Sequence, residues 1–213
     1  MKNYLNITYY IKTLYDEGTL WEFKRILGAG QRTSNPNLTN QKRLKRLLIS
    51  IPSIVLCYLL KTGISTDFIT DIMAALSIFI GLFTNVIFVI YNRFSIIPID
   101  TPTTNNNVKI ENLKLKNFLR QFTFVTGKNL LVATVIIALL TIIILFESFF
   151  NVNIRNFELV EFPQWNCKNI LTFLQLLIVV FVRFQILYLI INFFLLLLYS
   201  LGALFTFLKR EMK

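Results

Sequence analysis

Residues 169–208 run for 40 residues with no proline, no glycine before Gly202, and mostly apolar side chains. As a helix this stretch reaches about 60 Å, twice the hydrocarbon thickness of a bilayer. A soluble domain of 213 residues that is 55% hydrophobic and carries 21 phenylalanines has no interior large enough to hide so much apolar surface. Two further runs, 68–91 and 129–149, each match one bilayer crossing. A shorter run at 47–60, with Pro52 in its first turns, covers about 21 Å, so Lys61 must snorkel or the bilayer must thin around it. The expected fold is therefore an all-α integral membrane protein with four transmembrane helices, at about 47–62, 68–91, 129–149 and 170–208, and short cytoplasmic amphipathic helices.

Charge gives these spans a direction. Of the 22 Lys and Arg residues, 18 fall in residues 1–46, 92–128 and 209–213. Lys61, Arg155 and Lys168 belong to the intervening segments, and Arg183 lies inside the last run. Positive residues are retained in the cytoplasm, so both termini are expected inside, as four spans require. This predicts a cytoplasmic N-terminal helical segment at 1–45, a membrane domain at 46–213, a cytoplasmic loop at 92–128 and an outer loop at 150–168, where Trp165 suits an interfacial anchor. The N-terminus lacks the continuous apolar core and small-residue cleavage site of a secretory signal, so the first span is expected to act as the insertion signal.

Within the N-terminal segment, Tyr4, Ile7, Ile11 and Leu14 recur at helical spacing. Thr19 to Glu22 reads as a capping box opening a second helix, with Leu20, Phe23 and Leu27 on one face and Gly28 and Gly30 at its end. Such faces dock on the membrane surface or within the protein, and the three acids here favour the protein. A polar linker at 31–41 leads to a basic collar. In the central loop, residues 101–107 break structure. Ile110, Leu113, Phe118 and Phe122 then alternate with Lys109, Lys114, Lys116 and Arg120 as a basic amphipathic helix at the inner headgroup level, with Gly127 as its expected end. The cytoplasmic segments hold eighteen basic residues against Asp16, Glu17, Glu22, Asp100, Glu111 and Glu211. Topology alone demands much of this bias, yet a cytosolic anion would feel the field. Lys42, Arg43, Lys45, Arg46, Lys114, Lys116 and Arg120 are the candidate ligands for a nucleotide or oligonucleotide.

Polar residues within the spans must face protein or water. Gln185, Tyr188, Asn192 and Tyr199 lie within about a 60° arc of the last helix. Asp71, Ile78 and Asn85 share one face of the second span, near the small residues Ala74, Ser77 and Gly81 that allow close helix approach. Either set serves as helix–helix glue or lines a watery path. Arg183 lies about 160° from Gln185 around the helix; set at the outer interface, it would find Glu147 as an ion-pair partner.

Enzymatic and metal chemistry find little support. The chain has no histidine, and Cys57 and Cys167 are expected at different depths with no ligand spacing. No phosphate-binding glycine loop or nucleophile elbow occurs. No catalytic residue, metal or cofactor is expected. Four spans without mid-depth Gly/Pro breaks also argue against a secondary transporter.

The stretch DIMAALSIFIGLFTNVIFVIYNRF, residues 71–94, resembles the second spans of small multi-span effectors of bacterial antiphage systems, among them the four-helix effectors of cyclic-oligonucleotide signalling and Hailong-type membrane effectors. The resemblance implies a homo-oligomer in a bacterial inner membrane that a nucleotide or oligonucleotide signal holds closed or opens, depolarising the cell. Abundant Asn, Lys, Ile and Phe accord with an AT-rich bacterial gene. One subunit has too few polar residues to enclose an aqueous path, so a pore must form between subunits, with the bilayer and further copies of the chain as partners. A non-conducting scaffold or accessory subunit is the alternative.

Overall fold

The computed structural model describes residues 6–23, 38–60, 63–96, 106–152 and 167–211. Among them are six helices and no strand: α1 (Ile7–Glu22), α2 (Leu38–Leu59), α3 (Thr66–Ile96), α4 (Asn106–Leu145), α5 (Glu147–Phe150) and α6 (Cys167–Glu211). Three of them are long and apolar enough to cross a membrane, over Thr66–Asn92, Val108–Leu145 and Ile170–Phe205. The described residues are all-helical, and these three helices suggest a membrane protein. The turn at Gly28 and Gly30, Trp165, Lys61 and residues 101–105 lie outside the described residues.

Two local signals resolve differently from the sequence expectation. Thr19 sits inside α1, and its hydroxyl donates to the Tyr15 carbonyl at 2.7 Å instead of capping a new helix. The cap that does form is Asn6, whose side chain accepts from the Tyr9 N–H at 3.2 Å. Gly127 likewise does not end a helix, because α4 runs unbroken for 40 residues. Glycine in a helix interior costs about 1 kcal/mol relative to alanine, but here it opens room for a neighbour. A Cβ at Gly127 would lie 3.0 Å from Leu14 Cδ1 of α1. The glycine is a docking notch.

α2 also starts earlier than expected, so that Lys42, Arg43, Lys45 and Arg46 are helical. This collar takes up the first half of the helix and is why α2 does not join the three span-capable helices.

The two longest helices carry coiled-coil-like seams. Buried residues of α4 include Leu119, Phe122, Thr126, Asn129, Ala133, Ile136, Leu140 and Ile143, which alternate by three and four as knob positions do. Buried residues of α6 include Val179, Arg183, Ile186, Phe193, Leu197 and Ser200. These seam positions are apolar except for Thr126, Asn129, Arg183 and Ser200.

The chain divides into two compact units. The first comprises residues 1–43, 78–132 and 193–213. Its centre is Trp21, Val125 and Leu196, with Phe124 against them, and Phe79 stacks edge-on to Phe193 at 6.0 Å. The second comprises residues 44–77 and 133–192. Here α2 buries one stripe, Ile49, Ser53 and Cys57, and the Cys57 thiol lies 4.0 Å from the Val180 carbonyl of α6. From Leu44 onward the remaining apolar side chains of α2 are exposed, Ile51 at 61% and Tyr58 at 72% among them.

Candidate functional site

In the first unit a polar clasp joins α1 to α4 and α6. Lys128 Nζ meets Glu22 Oε2 at 2.8 Å, with only 6% and 9% of the two side chains exposed. The same ammonium stands 5.1 Å from the Tyr15 ring centroid. Two turns earlier on α4, the Arg120 guanidinium lies over the rings of Trp21 and Phe124 at 5.5 and 5.8 Å. Gln121 Nε2 donates to the Trp21 carbonyl at 2.7 Å and to the Tyr199 hydroxyl at 2.8 Å, while Trp21 Nε1 donates to Glu17 at 3.1 Å. The Thr126 hydroxyl donates to that of Ser200 at 3.4 Å.

Gly18 makes the close approach possible. A Cβ there would stand 2.6 Å from Lys128 Cβ and 2.8 Å from the Phe124 carbonyl oxygen. A buried ammonium requires a counter-charge, since an unpaired ion in a low-dielectric site is strongly penalised. Glu22 supplies it. Chemically, the clasp is a cation held between a carboxylate and an aromatic face.

The second unit holds a different polar centre. Arg183 is 2% exposed, and its Nη2 donates to the carbonyls of Phe150 and Val152, each at 2.8 Å. These are free carbonyls at and beyond the end of α5, which a cation suits through both hydrogen bonding and the helix dipole. Gln175 supports the same turn by donating to the Phe149 carbonyl at 3.1 Å. Gly63, at φ 105°, adopts a left-handed conformation, and a Cβ there would crowd Arg183 Nη2 and Asn151 Oδ1, each at 3.1 Å. A cavity of about 20 Å³, bordered by Arg183, Glu147, Thr66 and Asn151, has room for roughly one water. Arg183 Nη1 and Asn129 Oδ1 are the buried side-chain polar atoms without a hydrogen-bond partner among the described residues.

The residues singled out from the sequence are distributed as follows. Glu147 and Arg183 border one cavity but form no direct ion pair. Glu147 instead accepts from the Thr66 hydroxyl at 3.1 Å. On α6, Gln185, Tyr188 and Asn192 are half-buried, and Tyr199, 41% exposed, is tied to Gln121. On α3, Asp71 and Asn85 are both exposed, on the side away from buried Ile69, Leu76 and Phe83. Among the basic candidates Arg43, Arg46 and Lys114 are exposed and Lys42, Lys45 and Lys116 half-buried. Arg120 belongs to the clasp. Sequence reasoning missed Lys128, Gln121 and Glu22 as a group. The available signal was the three-and-four spacing through Thr126 and Asn129, which marks one face of α4 as buried well before its apolar run begins.

No family model, curated protein or solved structure matches this chain.

Proposed function

We propose that this chain assembles into a homo-oligomeric membrane pore, opened or closed by an anionic cytosolic signal. One observation carries the reading. The outward face of α3 presents Asp71, Ala74, Ser77, Gly81 and Asn85 with Ile78 among them, all exposed, a strip of mostly small and polar residues on a helix otherwise suited to lipid. A carboxylate or amide facing hydrocarbon is costly, so this strip calls for a neighbouring subunit or water. It is a better lining than the α6 stripe, whose Tyr199 hydroxyl is already engaged.

Four membrane-embedded helices per subunit fit best. The apolar part of α2, residues 47–59, spans about 20 Å and leaves Leu47, Leu48, Ile51, Ile54 and Leu59 more than half exposed, surface that lipid would cover. The basic bias then sets both termini in the cytoplasm. The resemblance of residues 71–94 to antiphage effectors points the same way, to a pore whose opening depolarises a bacterial inner membrane.

The small residues Ala74, Ser77 and Gly81 equally suit tight subunit packing without a water path, which is the scaffold reading. Conductance of the purified protein in planar bilayers separates the two. A pore conducts, loses most of its current in Asn85→Leu, and loses cation preference in Asp71→Asn. Oligomers that cross-link through α3 but carry no current would leave only the scaffold.

A further inference from the structure

We propose that Lys128 is an anion site which α1 keeps filled with its own carboxylate, and that a phosphate group takes the place of Glu22 and releases α1. This deepens the pore reading by naming where its anionic signal acts, and it rests on the orientation that puts this end of α4 in the cytosol.

The case begins with how little holds α1. Of its 16 residues only Gly18 and Trp21 are buried, while Ile7, Tyr9, Tyr10, Ile11, Tyr15 and Leu20 are exposed. Its packing anchors are few, the Trp21 ring in the core cluster and Leu14 against Gly127, and polar contacts complete the attachment: Glu22 on Lys128, the Trp21 carbonyl on Gln121, and the Trp21 ring under Arg120. The ionic part of that attachment is open to competition by a ligand that offers Lys128 a better anion.

While α1 is docked, the Lys128 side chain is 6% exposed, covered by α1 through Glu22 and the ring of Tyr15. An ammonium so covered keeps an anion beside it, so a competing anion and the departure of α1 are coupled: the site opens to water as Glu22 leaves. Arg120, two turns toward the N-terminal end of α4, becomes available when the Trp21 ring departs. A phosphate offers several strong acceptor oxygens where Glu22 offers a carboxylate, and Lys and Arg side chains are the usual partners of phosphate. The phosphate comes either from a soluble nucleotide-like anion or from a lipid headgroup.

Release of α1 has a clear signature. A free helix of 16 residues is marginal in water, so its amides lose protection once it undocks. The test uses the full-length protein in detergent, with pyrophosphate as the probe, hydrogen exchange of residues 9–22 as the measure of docking, and calorimetry as the measure of binding. Pyrophosphate is expected to bind and to deprotect α1. E22Q should leave α1 deprotected without ligand and bind pyrophosphate about tenfold more tightly, because the internal competitor no longer occupies the site. K128Q should lose binding, and K128R should retain it, which guards against a merely unfolded variant. The exchange E22K with K128E should redock α1 and abolish the response. Repeating the measurement in nanodiscs of phosphatidylcholine, with and without phosphatidylglycerol, identifies the source. Deprotection by phosphatidylglycerol alone assigns the phosphate to lipid, and a response only to pyrophosphate assigns it to a soluble anion.

Failure of pyrophosphate and of phosphatidylglycerol to deprotect α1, or equal binding by wild type and K128Q, would overturn the site. Because neither readout is conductance, a site that binds in a protein that does not conduct refutes the pore alone. Conductance that answers to pyrophosphate equally in K128Q refutes the site alone.

Discussion

Gly18 on α1 and Gly81 on α3 both sit on helix faces short of bulk, and they meet opposite surroundings. At Gly18 an added methyl would drive into the backbone of α4, 2.8 Å from the Phe124 carbonyl oxygen; at Gly81 it would meet nothing within 4 Å. Around the first glycine stand Trp21, Lys128 and Glu22, all satisfied within the chain. Around the second stand Asp71, Ala74 and Asn85, all exposed. A face of small residues is thus a socket. One socket is filled by the chain itself, and the other is left for something outside it. That difference separates the region proposed to regulate from the one proposed to assemble.

The largest effect should come from emptying the filled socket. Trp21→Ala removes a buried indole, a change that typically costs about 3–5 kcal/mol, and it takes away the ring under Arg120. The expected outcome is full hydrogen exchange across α1 with unchanged protection of α2 around Cys57, whose thiol lies by the Val180 carbonyl of α6. If α2 loses protection equally, α1 is no separable element and the contrast fails.

Gly18→Ala should act in the same place with less force. Overpacking of this kind costs about 1–3 kcal/mol, enough to loosen α1 while the rest of the chain melts normally in detergent. Gly81→Ala is the matched control. In an isolated subunit it should be neutral or stabilising by about 0.5–1 kcal/mol, since alanine is the better helix former. In the assembled protein it should lower the yield of subunit cross-links through α3. An unchanged yield would mean that the strip is not the contact between copies.

The smallest effect concerns salt. Because the Lys128–Glu22 pair is more than nine-tenths buried, raising sodium chloride from about 0.1 to about 1 M should barely alter α1 protection, as buried pairs are screened much less than exposed ones. A large salt effect would show that the clasp is open to solvent, and would make general screening a sufficient account of any response to pyrophosphate.

Much of the architecture could be read directly from residue patterns. The absence of any break from 169 to 201 called for one very long helix, and α6 is one. The boundaries that depend on single residues were harder. Thr19 followed by Glu22 has the same local appearance at a helix start as in a helix interior. What decides is that Trp21 and Gly18 pack on α4, which holds residues 7–22 in a single helix. Gly127 presents the same ambiguity, and it is settled by Leu14 filling the notch. Glu147 and Arg183 looked like an ion pair because both interrupt apolar runs. The end of α5 instead presents free carbonyls that the guanidinium reaches first.

What sequence alone determined about this protein follows from quantities that accumulate along the chain: the length of its apolar runs and the clustering of cations between them. These give its helical class and three helices able to cross a membrane, because transfer into lipid depends on sums over many residues. What only the tertiary structure decided is which polar residues are already satisfied. Lys128 is bound to Glu22, Tyr199 to Gln121 and Arg183 to two carbonyls, while Asp71 and Asn85 are left facing outward. No periodicity contains that information, because a hydrogen bond spanning a hundred residues depends on where two helices meet and not on what either helix spells.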